Sequence, residues 1–420
     1  MILKNDILLI QNKILSRLDM LFVSLAGVTI VTSALHFWPF RDSGLWQILN
    51  IPNFCCGISL ATAALFLITK KYRSIVLNFI PDISVMSYLA INILSISFAD
   101  GLSRPLSYTI KLGLVFIGGL FLFQKALTNP KALKLCYLFL VIAVSLSIIN
   151  CILTRLFFDQ KQFGFHGNVF KYGTYIGILV PLCSIYLLSG STLQVLIATL
   201  IITFGMFSAG SAGACLAIFA GLITALVMIP KASIKLSIFL CILLATVALY
   251  VSNKTFDGAI TRDFIIKEDD GINLRQRYIE WQAEINLLEK RGIIGTVAGC
   301  VNDYRSHFYY RLPKLNTLRA CDQNGFLAVG AETGLLGLVA FIWILINYGK
   351  MSFQDCLYLQ ANRNSQVGAM ATANTAAFIS AITANFFSSV HYNGILIIFV
   401  FLLSLISSVR NTYRDNTDET

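Results

Sequence analysis

Cys136–Leu153 reads CYLFLVIAVSLSIINCIL, eighteen residues without a charge, a proline or a glycine. As an α-helix such a run is about 27 Å long, close to the roughly 30 Å of hydrocarbon in a bilayer. Lys131 and Lys134 stand before it and Arg155 after it. It reads as a membrane span, and the pattern recurs along the chain. Apolar runs bounded by turn signals give about twelve spans, at roughly 20–38, 46–69, 77–98, 108–124, 133–154, 171–189, 192–209, 212–229, 234–251, 325–347, 367–386 and 393–409. Alternating ten-residue segments, the mark of a membrane β-barrel, are missing. The expected fold is therefore all-α: a polytopic integral membrane helical bundle. By this reading residues 1–251 hold nine spans with short loops and 252–322 form one large loop. Residues 323–409 hold three more spans, and 410–420 a tail.

Composition agrees with this. Of the 420 residues 56% are hydrophobic and 13% charged, with a mean hydropathy of +0.73. Soluble domains carry about 25% charged residues, so a cytosolic enzyme is excluded. The net charge of +11 accompanies no nucleic-acid motif, and none is expected as a partner. Lys4, Lys13 and Arg17 precede the first apolar run with no small-residue cleavage site after it, which predicts a retained span. Ten cysteines lack the CxxC spacing of a zinc site. No internal repeat is visible, which weakens an inverted-repeat transporter.

The placement of basic residues orients the bundle. With the N-terminus inside, the inner connections carry Lys70, Lys71, Arg73, Lys125, Lys131, Lys134, Lys231, Lys235, Lys350 and Arg363, and the tail carries Arg410 and Arg414. Most short outer connections hold fewer, although Arg155, Lys161 and Lys171 run against the trend. The asymmetry predicts cytoplasmic termini and an outward-facing large loop. That loop, Ser252–Asp322, holds 11 Lys/Arg and 10 Asp/Glu. His36, His166, His307 and His391 fall on the same side.

A connection this long is functional or disordered, and its aromatic content argues for structure. RQRYIEWQAEINLLEKR (Arg275–Arg291) reads as an amphipathic helix with Trp281, Ile285 and Leu288 on one face and Arg277 one turn before Trp281. Gln282, Asn286 and Lys290 fall on the other side. Such a helix either rests on the membrane with its arginines snorkelling or turns Arg275 or Arg277 toward a phosphate of a ligand. Further on, NDYRSHFYYRLPKLNTLRACDQN (Asn302–Asn324) sets Arg305, Arg311, Lys314 and Arg319 among aromatics. That mixture suits an anionic, sugar-bearing ligand, and it suits a membrane-surface patch equally. Cys300 and Cys321 are either bridged, closing a loop of about twenty residues worth about 3 kcal/mol, or two buried thiols.

Three stretches carry a family resemblance. FGFHGNVFKYGTYIGILVPL (Phe163–Leu182) leads into a central span, and FSAGSAGACLAI (Phe207–Ile218) is a Ser/Gly-rich outer turn. Arg277 and Trp281, followed by DQNGFLAVGAETGLLGL (Asp322–Leu338), end the loop and open the next span. In these stretches and in arrangement the chain resembles the O-antigen polymerase and O-antigen ligase family of bacterial envelope glycosyltransferases. Ligases of that family read Ser-Arg-Gly-Ala at the second stretch and His-Asn at the third. Here Ala212 stands in the Arg position and Gln323 in the His position, while Asn324, Gly334 and Gly337 keep the spacing. The departures point to polymerase ahead of ligase, with a flippase or other transporter as the rival from another class.

The resemblance implies an inner-membrane glycosyltransferase acting on undecaprenyl-diphosphate-linked oligosaccharides, among membrane lipids, and leaves room for a chain-length regulator as protein partner. The diphosphate is itself a good leaving group, so the implied demands are cations and an oriented acceptor. No cofactor and no metal are required; Glu268–Asp270 reads as a solvated acidic turn. Arg277 and then Arg275 are the implied catalytic cations, with Arg305, Arg311 and Arg319 around the substrate. His307, Asp322, Glu280 and His166 are the outer-side groups from which a general base would come, each also readable as structural. His166 and Trp281 count among the substrate-binding residues. Asn324 caps the tenth span or hydrogen bonds a sugar.

Asp82, Lys111 and Glu332 fall in or at the ends of spans, where ionisable groups are costly and usually functional. Asp82 follows Pro81 near a span boundary, where partial water exposure accounts for it. Lys111 is near enough to the outer end of its span to snorkel. Glu332 matches a position often acidic in the family and otherwise reads as a structural partner.

Overall fold

A computed structural model describes residues 19–33, 51–68, 79, 81–99, 101–127, 130–157, 169–209, 211–255, 272–297, 299–300, 324–362, 365–388 and 393–413. Within these residues every regular element is helical. The helices are α1 (Asp19–Ser33), α2 (Ile51–Ile68), α3 (Ile83–Ser95) and α4 (Ser103–Ala126, with a π-helical stretch at Leu114–Gly118). They continue with α5 (Pro130–Phe157), α6 (Val169–Leu188), α7 (Thr192–Ser208), α8 (Ala212–Met228) and α9 (Ala232–Thr255). After the loop region come α10 (Ile272–Arg291), α11 (Gly325–Asn362), α12 (Ser365–Asn385) and α13 (Asn393–Tyr413). Seven of these are long and apolar enough to cross a membrane, and five shorter apolar helices accompany them among the described residues. The protein is an all-α, multi-pass membrane protein, and an apolar helix stands at each place where the sequence predicts a span.

The centre of the bundle is built from α6, α8 and α12. Between helices in lipid there is little hydrophobic gain, so close packing of small residues takes its place. Gly173 and Gly177 of α6 lie against Ser211, Ala214 and Ala217 of α8, where an added Cβ would come within 2.6 Å of Ser211 Oγ and 2.9 Å of Ala217 Cβ. Further along α8, Gly221 faces Ser380 of α12 and Pro181 of α6, and Ser380 Oγ donates to the Ala217 carbonyl at 2.8 Å. Each such bond contributes about 0.6 kcal/mol in a membrane interior. Tyr137 adds one to Asn374 at 2.8 Å, and Ser352 one with Thr375 at 2.9 Å.

The periphery has the opposite character. Along α9 the side chains of Leu236, Phe239, Leu240, Leu243, Val247 and Tyr250 are exposed, as a lipid-facing surface requires. Asp82 is structural here. Its carboxylate caps α3, accepting from Ser84 N at 2.8 Å, and Asn347 Nδ2 of α11 donates to it at 3.4 Å. About two turns further along α11, Asp355 pairs with Arg410 of α13 at 3.5 Å.

Candidate functional site

The helix ends and turns that carry the polar motifs gather at one end of the bundle. Ser211 opens α8 in an extended conformation (φ −141°, ψ 146°) and its hydroxyl accepts from Ala214 N at 3.3 Å. This is the ordinary physics of an N-cap, and it holds the α7–α8 turn against Gly173 of α6. Phe387, just past α12, presses on Gly213, where a Cβ would lie 2.4 Å from its own. Thr174, Ser211, Gly213, Phe387 and Ser388 line a small cavity between α6, α8 and the end of α12. Ala212 is buried.

Asn324 caps α11, its side chain accepting from Phe326 N at 3.0 Å and Leu327 N at 3.2 Å. Gly325 permits the next contact, since a Cβ there would sit 1.9 Å from Asn385 Oδ1. The start of α11 is thereby fastened to the end of α12.

Ten residues into α11 the helix breaks. Gly334 has φ 69° and ψ −170°, a conformation essentially reserved for glycine. In an unbroken helix Leu335 N–H would bond the Ala331 carbonyl; instead it donates to the Gly292 carbonyl at 3.2 Å. Leu336 N–H likewise turns to the Ile293 carbonyl at 3.5 Å. The Ala331 carbonyl is taken by Thr296, through its backbone N–H at 2.8 Å and its hydroxyl at 3.0 Å. The turn after α10 therefore replaces the helix's own bonds, as buried backbone polar groups demand. Gly295 (φ 76°) lies so close that a Cβ would be 2.4 Å from Gly334 N and 2.5 Å from Glu332 O. Val297, buried and β-branched, has φ 77°, a strained conformation that costs about 1–3 kcal/mol and persists where surroundings impose it.

The face of α10 differs from the sequence expectation. The buried stripe is Glu280, Ala283, Glu284 and Leu287, at positions i, i+3, i+4 and i+7. Ile285 is 40% exposed and Tyr278 64%, while Trp281 and Leu288 border the stripe. The reason is that α10 packs on α11, so burial there is set by a protein neighbour; Leu288 rests on Gly330. Two carboxylates one turn apart thus face the protein interior. The indole Nε1 of Trp281 is enclosed with no hydrogen-bond partner among the described residues.

The residues singled out from the sequence divide as follows. Trp281 and Asn324 lie at this end of the bundle, Asn324 as a cap. Arg275 and Arg277 lie in the first two turns of α10, with their side chains outside the described part. His166, Arg305, His307, Arg311, Arg319 and Asp322 lie outside the described residues, as does Cys321; Cys300 is buried. Sequence reasoning missed Glu284, Thr296 and the break at Gly334. A signal for the last existed in the paired glycines Gly292/Gly295 and Gly334/Gly337.

Fold and site together define a multi-pass helical membrane protein whose polar machinery is concentrated at one end, around a loop helix stitched to a broken span. Residues 197–342, from α7 to the middle of α11, match the family described as O-antigen ligase. The match covers roughly a third of the chain and supports its place in the O-antigen ligase and polymerase family, whose members are glycosyltransferase-like enzymes acting on lipid-linked polysaccharides. No curated protein matches the chain.

Proposed function

We propose that the protein polymerises undecaprenyl-diphosphate-linked oligosaccharide repeats of O-antigen or a related surface polysaccharide at the periplasmic face of the inner membrane. A hydroxyl of one lipid-linked unit attacks the anomeric carbon of the chain on another. The new glycosidic C–O bond forms as the sugar–diphosphate bond breaks, the hydroxyl proton passes to a base, and undecaprenyl diphosphate departs. Arg277 and Arg275, early on α10, serve the growing charge of the leaving diphosphate, a role suited to the guanidinium fork. Arg305, Arg311, Arg319, Trp281 and His166 surround the substrate in this reading. The base comes from His307, Asp322 or Glu280.

One observation carries the reading: the family-matched stretch converges on one end of the bundle, with the Ser211 turn, α10 and the break at Gly334 all there. Polymerase is preferred to ligase because Ala212 and Gln323 stand where ligases of the family carry Arg and His. The ligase alternative, transfer of the polysaccharide to lipid A–core, draws on the description of the matched family. A carrier has less support. Transporters use broken helices to bind ions through freed backbone groups, whereas at Gly334 the Leu335 N–H, the Leu336 N–H and the Ala331 carbonyl are taken by Gly292, Ile293 and Thr296.

Reconstitution with purified lipid-linked repeats separates these readings. Longer chains with free undecaprenyl diphosphate are expected. Capture only by lipid A–core would replace the polymerase with the ligase, and movement across the bilayer without new bonds would remove both.

A further inference from the structure

The surface of α11 changes character at its break. Across residues 325–334 every side chain is buried or half-buried. Immediately beyond, Leu335, Leu336, Val339, Ile342, Trp343 and Ile346 are exposed, and Lys350 is the first charged residue after them. An exposed apolar stripe on a membrane span is its lipid-facing surface. From Leu335 to Lys350 it measures about 22 Å as an α-helix, less than the roughly 30 Å of hydrocarbon in a bilayer. Lys350 and the bond from Asn347 to Asp82 mark one boundary. The hydrocarbon therefore continues past the break at the other.

The turn after α10 lies at that level. Its Gly292 and Ile293 carbonyls accept from Leu335 and Leu336, the first two residues of the stripe. Ile293 itself is 62% exposed, so an apolar side chain leaves the protein beside two others that do the same. Immediately before the turn, Lys290 and Arg291 are exposed. Their long stems suit a position at the headgroups, with the charged ends reaching outward.

The backbone points to the same depth. Gly292 (φ 50°), Gly295 (φ 76°) and Val297 (φ 77°) make the turn irregular, and irregular backbone is tolerated at membrane depth only where protein satisfies its polar groups. Here the N–H groups of Gly292, Ile294, Gly295 and Thr296 donate to backbone carbonyls of Leu288, Arg291, Arg291 and Ala331, respectively. With two of its own carbonyls given to α11, the turn keeps its polar groups inward and sends Ile293 outward.

We infer that residues 292–296 enter the hydrocarbon of the leaflet on the loop side, with Ile293 among phospholipid acyl chains and Lys290 and Arg291 at the lipid phosphates. The loop helix is thereby anchored to the bilayer at its C-terminal end, while Tyr278, 64% exposed near its start, stays in water. The anchor goes beyond the glycosyltransferase reading and does not depend on it. Under that reading, it sets the break in α11 close to the headgroup of a lipid-borne substrate.

The test places a single nitrobenzoxadiazole label on the full chain in nanodiscs of phosphatidylcholine and phosphatidylglycerol. Ile293→Cys carries the probe, Val339→Cys is the lipid reference and Tyr278→Cys the water reference, with the signal of the labelled wild type subtracted. The Ile293→Cys label is expected to emit to the blue of Tyr278→Cys, to be quenched by nitroxides on acyl chains as Val339→Cys is, and to resist iodide. Iodide quenching as strong as at Tyr278→Cys puts the turn in water and overturns the anchor. Blue emission quenched by neither agent overturns it too, because protein then covers Ile293. Ile293→Asp reads the same depth without a label: its unfolding midpoint is expected below that of Ile285→Asp, and equal midpoints count against the anchor. A protein that gives the lipid signature yet joins no repeats keeps the anchor and removes only the proposed reaction.

Discussion

Thr296 donates twice to the carbonyl of Ala331, from its backbone N–H at 2.8 Å and from its hydroxyl at 3.0 Å. That carbonyl is the one α11 abandons at its break, and a loop residue 35 positions earlier satisfies it. The loop helix α10 and the span α11 are thereby held as one unit, and the polar end of the bundle inherits its geometry from that stitch. Thr296→Val removes the hydroxyl and leaves the backbone bond. It is expected to lower stability by about 1 kcal/mol, the usual worth of one such bond. Thermal unfolding in detergent measures this, and an unchanged midpoint would deny the hydroxyl its role.

Gly334→Ala puts a Cβ 2.1 Å from the Ile293 carbonyl oxygen and forces an L side chain to φ 69°. A loss of at least about 2 kcal/mol is expected, seen as aggregation on size-exclusion or a lowered unfolding temperature. Gly101→Ala, with nothing within 4 Å of the new Cβ, should behave as the wild type. Equal behaviour of the two variants would mean that the break is not imposed by the turn.

The buried face of α10 can be tested by moving a charge around the helix. Leu287 is 1% exposed and Ile285 40%. Leu287→Asp buries an unpaired carboxylate and is expected to cost several kcal/mol, on the order of 3 or more. Ile285→Asp should stay within about 0.5 kcal/mol. The reverse order, read from yields of folded protein and unfolding midpoints, would return α10 to the lipid surface.

Arg277→Ala is expected to abolish chain elongation in the reconstituted assay while folded yield stays normal. An Arg277→Ala protein that still builds long chains would remove this arginine from the reaction and leave the family placement untouched.

Orientation is open to labelling. Nine of the cysteines are buried, so a membrane-impermeant maleimide should meet little background among them. Tyr278→Cys, at a position 64% exposed on α10, is expected to react from the periplasmic side of intact cells. Phe353→Cys, exposed on the far half of α11, should react only after permeabilisation. Labelling of Tyr278→Cys from the cytoplasm alone would contradict the proposed site of sugar transfer.

The spans were legible because solvation by lipid is a local demand: about eighteen to twenty apolar residues answer it whatever their neighbours are. The cap at Asn324 was legible for a similar reason, since a cap needs only its own helix. The face of α10 was not. Its apolar side chains at Trp281, Ile285 and Leu288 are real, but α11 covers the stripe containing Glu280 and Glu284. A hydrophobic periodicity cannot report a polar stripe buried by a protein neighbour. Likewise the GAETGLLG segment reads as helix throughout, since glycines in membrane helices commonly serve close packing.

Sequence alone determined that the chain crosses a membrane many times, where its helices fall, and which residues are too polar to face lipid, because each depends on short stretches and their solvent. Tertiary structure decided that α11 is broken and restored by the turn at Gly292–Thr296, and which side of α10 is covered. Those outcomes depend on which backbones come within hydrogen-bond or electrostatic distance, and that is a property of the packed bundle.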